Sequence, residues 1–119
     1  KRRVYEEHAA RKLPGKPFVT CRVTQLYQTG VAIYFYLAFS YEGVERPSDV
    51  FAEIEHAARE EILRSGGSLS HHHGVGKIRR AFLTDVMSPA ALAWNQAAKR
   101  ALDPHDVFGA GNQLPEESK

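Results

Sequence analysis

Three consecutive histidines, His71, His72 and His73, run directly into Gly74-Val75-Gly76-Lys77. Imidazoles take up and release protons near neutral pH and donate or accept hydrogen bonds accordingly. Glycines at positions 74 and 76 let the backbone approach a ligand closely and adopt dihedrals closed to other residues. Free amides at a helix start attract negative charge, and Lys77 adds a cation. Together these residues predict a pocket for an anionic or enolate-like group. The competing reading of the same segment is a solvent-exposed polar loop. Consecutive side chains are expected to diverge, so at most two of the histidines would share one ion. No C-x-x-C or H-x-x-x-H spacing supplies further ligands, and no metal site is predicted.

Tyr34 and Tyr36 are the second group that could do chemistry. They stand two residues apart in a strand-like run, hence on one side of it. A phenol titrates near about 10, so acting as a base at neutral pH requires neighbours that stabilise the phenolate. Arg22 on the preceding strand is one candidate neighbour and the histidine loop another. Packing beneath a helix is the alternative use of both rings. Cys21, on the apolar face of its strand, reads as a core residue rather than a nucleophile. His8, His56 and His105 read as surface residues, and Glu53, Glu60 and Glu61 as the solvated side of a helix.

The elements that must position these groups follow from periodicity and punctuation. Lys1–Lys12 is charged and mildly amphipathic, consistent with a helix that Leu13-Pro14-Gly15-Lys16-Pro17 breaks. Phe18–Tyr27 and Val31–Tyr41 alternate as strands, and Gln28-Thr29-Gly30 makes them an antiparallel hairpin. Val31, Ile33, Phe35, Leu37, Phe39 and Tyr41 form one apolar face, expected to be core. The opposite face, Ala32, Tyr34, Tyr36, Ala38 and Ser40, sets phenols among small residues. A helix is predicted from Pro47 to about Arg64, with Ser48 as N-cap and Ser65-Gly66-Gly67 as stop. Its stripe of Phe51, Ile54, Ala58 and Ile62 is expected to cover the sheet. A further helix should carry Ile78, Phe82 and Val86 on one face. Ser88-Pro89 starts a last one bearing Leu92, Trp94, Ala98, Ala101 and Leu102. After Phe108 the composition predicts a frayed tail.

Composition bounds the function classes. The 119 residues are 43% hydrophobic and 25% charged, which is globular composition. A net charge of +2 is too small to argue for nucleic acid, and none is expected as a partner. The lone Cys21 excludes an internal disulfide. The longest apolar stretch, Val31–Phe39, is far short of the roughly twenty residues of a membrane-spanning helix. No signal peptide is visible, so a cytoplasmic or peripherally membrane-associated protein is expected. A first residue that is Lys1 reads as a piece of a longer or processed chain. The expected fold class is α+β, an antiparallel sheet with helices on one face. Since an isolated hairpin is marginal in water, further strands are expected from sequence outside this chain or from another copy. The Trp94 stripe points to a homodimer.

Thr20-Cys21-Arg22-Val23-Thr24-Gln25, Ile33-Tyr34-Phe35-Tyr36, Ala57–Leu63, Gly66–Lys77 and Asp103-Pro104 with Val107-Phe108-Gly109 together resemble the alkyldihydroxyacetonephosphate synthases. The similarity covers about residues 18 to 112 with the motifs in the same order. A looser HGxG loop and a late Asp-Pro occur across the vanillyl-alcohol oxidase type of flavoprotein. The resemblance implies that residues 1–119 are a C-terminal cap or substrate domain, ferredoxin-like, of a flavoprotein whose FAD-binding domain is absent from this sequence. It implies exchange of the acyl chain of acyl-dihydroxyacetone phosphate for a fatty alcohol, using FAD without net redox change. Tyr34 and His72 would then be catalytic. His71, His73, Gly74, Gly76, Lys77 and Arg22 would bind substrate or cofactor. The implied partners are the FAD-binding domain of the parent chain, a phosphorylated lipid and a fatty alcohol. Alone, this chain is expected to be catalytically silent. The alternative is a cap from an FAD-dependent oxidase or dehydrogenase acting on a 2-hydroxy acid or other alcohol.

Overall fold

Helix α1 (Arg2–Ala10) opens the chain, followed by strands β1 (Phe18–Leu26) and β2 (Val31–Ala38) and helix α2 (Pro47–Arg64). This computed structural model describes residues 1–112 and Leu114. The chain divides into two compact units, Lys1–Gly67 and the residues from Ser68 onward. The second contains α3 (Gly76–Arg79), a 3₁₀ turn (Arg80–Phe82), α4 (Leu83–Val86) and α5 (Pro89–Leu102). An antiparallel hairpin among helices makes the class α+β, as composition and patterning anticipated.

In the first unit α1 packs on α2, with Val4 and His8 of α1 and Ile54 and Ala57 of α2 buried, as is Ala32 of β2. The His8 ring meets Phe39 edge-on, and Phe39 in turn stacks on Phe51. His8 is therefore a core residue, contrary to the surface position expected from its charged neighbours. The available signal was the i to i+4 spacing from Val4, which places His8 on the same face of α1. Arg11 closes the same interface from outside, donating from Nε and Nη2 to Glu53 Oε2 at 3.2 and 3.1 Å and pairing with Glu7.

Register pairs Val19 with Leu37, Cys21 with Phe35 and Val23 with Ile33, then slips between Val23 and Gln25. The slip is a one-residue bulge at Thr24, whose Oγ1 donates to the Ala32 carbonyl at 3.2 Å. It changes the parity of β1, so Leu26 pairs with Val31 and joins the apolar face. That face is not core here. Val23, Leu26, Val31, Ile33 and Phe35 are about half exposed or more, as is Tyr41 beyond the strand end. Cys21 is exposed with them. The stripe of α2 meets α1 and Phe39, and among the described residues the rest of that face, from Val31 to Phe35, stays exposed.

Helix α2 begins at Pro47 as expected, but its N-cap lies two residues before the expected Ser48. Arg46, in the left-handed region at φ 50°, is the N-cap, Pro47 takes the first helical position, and Ser48 lies inside. Gly66 N–H donates to Leu63 O and Gly67 N–H to Ile62 O, both at 2.9 Å, the paired bonds that end a helix at a left-handed glycine. In the second unit Ser88 caps α5 as expected, its Oγ accepting from Ala91 N at 3.2 Å. The helix expected around Ile78, Phe82 and Val86 is instead three short pieces. Only Phe82 and its neighbour Leu83 are buried, because a 3₁₀ turn rotates Ile78 and Val86 off their common face. The tail expected to fray is held as far as Asn112, whose N–H donates to Gly109 O at 2.8 Å. Gln113 and Pro115–Lys119 lie outside the described residues. No helix among the described residues is long and apolar enough to cross a membrane.

Candidate functional site

Two groups of candidate residues are assembled, one on each unit. In the first, ladder geometry places Arg22 directly opposite Tyr34 and Thr20 opposite Tyr36 on one face of the hairpin. The Arg22 guanidinium carbon sits 5.7 Å from the Tyr36 ring centroid, within cation–π range. Tyr34 is half-buried, and Ala32 two residues before it is buried. Alternation along a strand dictates that these residues share a face, so this grouping was legible from spacing alone.

The second group is the turn at His71–His73. The rings do not diverge as consecutive side chains were expected to. His71 and His72 meet edge-on at 5.0 Å with their Nδ1 atoms 2.8 Å apart, and His73 stacks on His72 at 4.3 Å. A tight turn brings them together. Ser70 Oγ donates to the Gly74 carbonyl at 3.0 Å, and Arg79 Nη1 donates to the same oxygen at 3.3 Å. Gly74 and Gly76 take φ +70° and +55°, and nothing stands within 4 Å of where a Cβ would project at either. Both glycines therefore adopt the left-handed backbone that their residue type permits.

The electrostatic expectation needs one correction. Helix α3 has four residues and no side-chain cap, too short for the dipole that was to attract an anion. Fixed side-chain charge replaces it. Residues 68–84 carry Lys77, Arg79 and Arg80 with no Asp or Glu among them. Arg80 Nη1 also donates to the Gly111 carbonyl at 2.6 Å, tying the tail to this segment. Ser70, Arg79 and Arg80 are the positioning residues that reading the sequence missed; the run of cations without a carboxylate was the available signal. Among the described residues no group of three or more His, Cys, Asp or Glu side chains is placed to hold a metal ion.

Asp103 anchors the end of α5. Its carboxylate pairs with Lys99 and accepts from Val107 N and Phe108 N, both at 2.9 Å. The Lys99 hydrogen bond first, then these backbone amides, hold its pKa down to about 2. Lys99 also donates to the Phe108 carbonyl at 2.9 Å and pairs with Asp106 at 2.8 Å. An open groove of about 560 Å³ lies elsewhere in the first unit, lined in part by Arg11, Leu13, Glu42 and Val44, and none of the candidate residues faces it.

The profile of the FAD linked oxidases, C-terminal domain, matches residues 2–112. The chain belongs to this family. It is similar to the alkyldihydroxyacetonephosphate synthase of Caenorhabditis elegans, with 44% identity over 94 residues, 79% of this chain. The enzyme of the same name from Dictyostelium discoideum is 26% identical over 82% of the chain. The uncharacterized FAD-linked oxidoreductase YgcU of Escherichia coli K12 is 30% identical over 76%. The chain spans 16%, 16% and 19% of these relatives' lengths, respectively. FAD is the group that an FAD-linked oxidase domain implies. The residues present fit such a partner: three exposed imidazoles, a cationic segment, and glycines open to close approach. His71, His72, His73, Gly74, Gly76 and Lys77 are the residues of that segment that could face it.

Proposed function

We propose that this FAD-linked oxidase domain serves an alkyldihydroxyacetonephosphate synthase-like transferase, which exchanges the acyl chain of acyl-dihydroxyacetone phosphate for a fatty alcohol. The observation that carries the reading is the triple-histidine turn, in a chain 44% identical to a synthase so named. Bound FAD, held mainly by a separate domain of the same protein, supplies the electron-accepting ring system. The work of this chain is proton handling and orientation. Tyr34 acts as acid/base, with Arg22 directly opposite it on the ladder. His72 moves a proton at its ring nitrogen, while His71, His73 and Lys77 orient the phosphate-bearing head group. The lipid substrates make peripheral association with a membrane part of the same proposal.

The test uses the full-length protein with acyl-dihydroxyacetone phosphate and a fatty alcohol under air, assaying ether product and oxygen uptake together. Ether formed without oxygen consumption is the expected result. Oxygen or dye reduction with a 2-hydroxy acid, and no ether, would instead favour an oxidoreductase. That reading draws on the similarity to YgcU.

A further inference from the structure

Granting the acyl-for-alcohol exchange proposed above, we propose that Arg22 receives the carboxylate of the fatty acid released in that exchange, and that Tyr36 is the positioning residue that holds its guanidinium in place. An ether forms from an ester and an alcohol only if the bond between the substrate carbon and its ester oxygen breaks. The acyl chain then departs with both oxygens as a carboxylate. The alcohol oxygen bonds to that carbon, its proton is released, and no electrons are exchanged overall. A carboxylate born in the site needs a cation to meet it.

Arg22 is exposed on β1 and stands opposite Tyr34 in the ladder, with Tyr36 its diagonal neighbour on the same face. Its guanidinium carbon lies 5.7 Å from the Tyr36 ring centroid. Arg3, Arg11, Arg46, Arg59 and Arg64 are each paired with an Asp or Glu. Among the described residues no carboxylate pairs with Arg22, and the Tyr36 ring is its partner. A ring face attracts the cation but supplies no oxygen acceptor, so the planar fork keeps its donors for an incoming oxyanion.

The face also selects the class of anion. Register puts Phe18, Thr20 and Arg22 of β1 beside Tyr34, Tyr36 and Ala38 of β2, and Arg22 is the one cation in this set. A single guanidinium matches the single charge of a carboxylate and can grip both its oxygens. A phosphate monoester carries about two charges near neutral pH and calls for a second cation. Rings and methyl groups around the cation suit the first carbons of an acyl chain.

The test is isothermal titration of the full-length protein with octanoate, using 1-octanol as the uncharged control and inorganic phosphate as the other anion. Octanoate should bind, and Arg22→Gln should weaken it about tenfold or more while octanol binding stays unchanged. Tyr36→Leu should weaken octanoate about threefold to tenfold, whereas Tyr36→Phe, which keeps the ring face, should stay within about twofold of wild type. With Arg22→Gln already present, Tyr36→Leu should cost nothing further; a merely structural ring would weaken binding in both backgrounds. No octanoate binding, indifference to Arg22→Gln, Phe as poor as Leu, or losses seen with phosphate instead would overturn the proposal. Binding is read without turnover. Ether formation alongside octanoate binding that ignores both residues sinks this proposal alone, and the expected binding pattern without ether sinks the synthase reading and leaves a carboxylate receptor.

Discussion

The hairpin and the histidine turn position their reactive side chains by opposite means. On the hairpin, Arg22 and Tyr34 face each other because backbone ladder bonds fix register. At the turn, geometry depends on side chains: Ser70 and Arg79 both bond the Gly74 carbonyl, and the rings rest on one another. A ladder tolerates substitution of what it displays. A side-chain-built turn does not, so changes at 70 or 79 should reach the site through its shape, and changes at 34 through its chemistry alone.

That contrast can be broken in several places. Tyr34→Phe in the full-length protein should lower ether formation by about 10²- to 10⁴-fold, the usual worth of an acid/base group. Its urea midpoint should stay at the wild-type value, since the ring is only half-buried and the ladder is untouched. A large midpoint shift would show that the phenol is structural. Ile54→Ala tests the other kind of position. Ile54 is fully buried between α1 and α2, and the change should cost about 2–5 kcal/mol of stability by denaturant unfolding.

Asp103 gives the second unit a pH signature. Its folded pKa, about 2, lies below the ordinary 3.8, so it stabilises the fold above about pH 4 and loses that contribution as pH falls toward 2. Trp94, exposed on the helix that Asp103 ends, should report the change by fluorescence. Asp103→Asn should remove that acid transition, and an unchanged transition would assign it to other carboxylates. Ser70→Ala should cost about 1 kcal/mol or less in stability. It should nonetheless alter the His71 and His72 ring signals, whereas the same change at a strand hydroxyl such as Thr20 should leave Tyr34 signals in place. The smallest effect is expected at Arg11→Ala. Its pairs with Glu7 and Glu53 are partly solvated and worth about 1 kcal/mol or less together.

Where local signals act within a few residues, they were readable. The Ser88-Pro89 helix start, the glycine-ended α2 and the shared face of Arg22, Tyr34 and Tyr36 all follow from neighbouring residue types. Three errors share a different cause. His8 was assigned to the surface, the β2 face to the core, and residues 76–86 to one helix. Each depends on what packs against the segment, and a segment does not encode its partner. Phe35 and Ile33 have the alternation of a covered strand, yet among the described residues α2 pairs with α1 and leaves both about half exposed.

By itself the sequence determined the hairpin, the end of α2 and the start of α5, the glycine-bearing histidine loop, and membership in a family whose motifs it carries in order. Only the tertiary structure decided that three histidine rings gather, that Ser70 and Arg79 hold the turn through one carbonyl, that Thr24 bulges to bring Leu26 onto the apolar face, and that His8 is buried. The reason is one of range. Dihedral preference and periodicity act along the chain and are written in adjacent residues. A hydrogen bond from residue 80 to residue 111, or an edge-on contact of His8 with Phe39, exists only once folding has placed one segment against another.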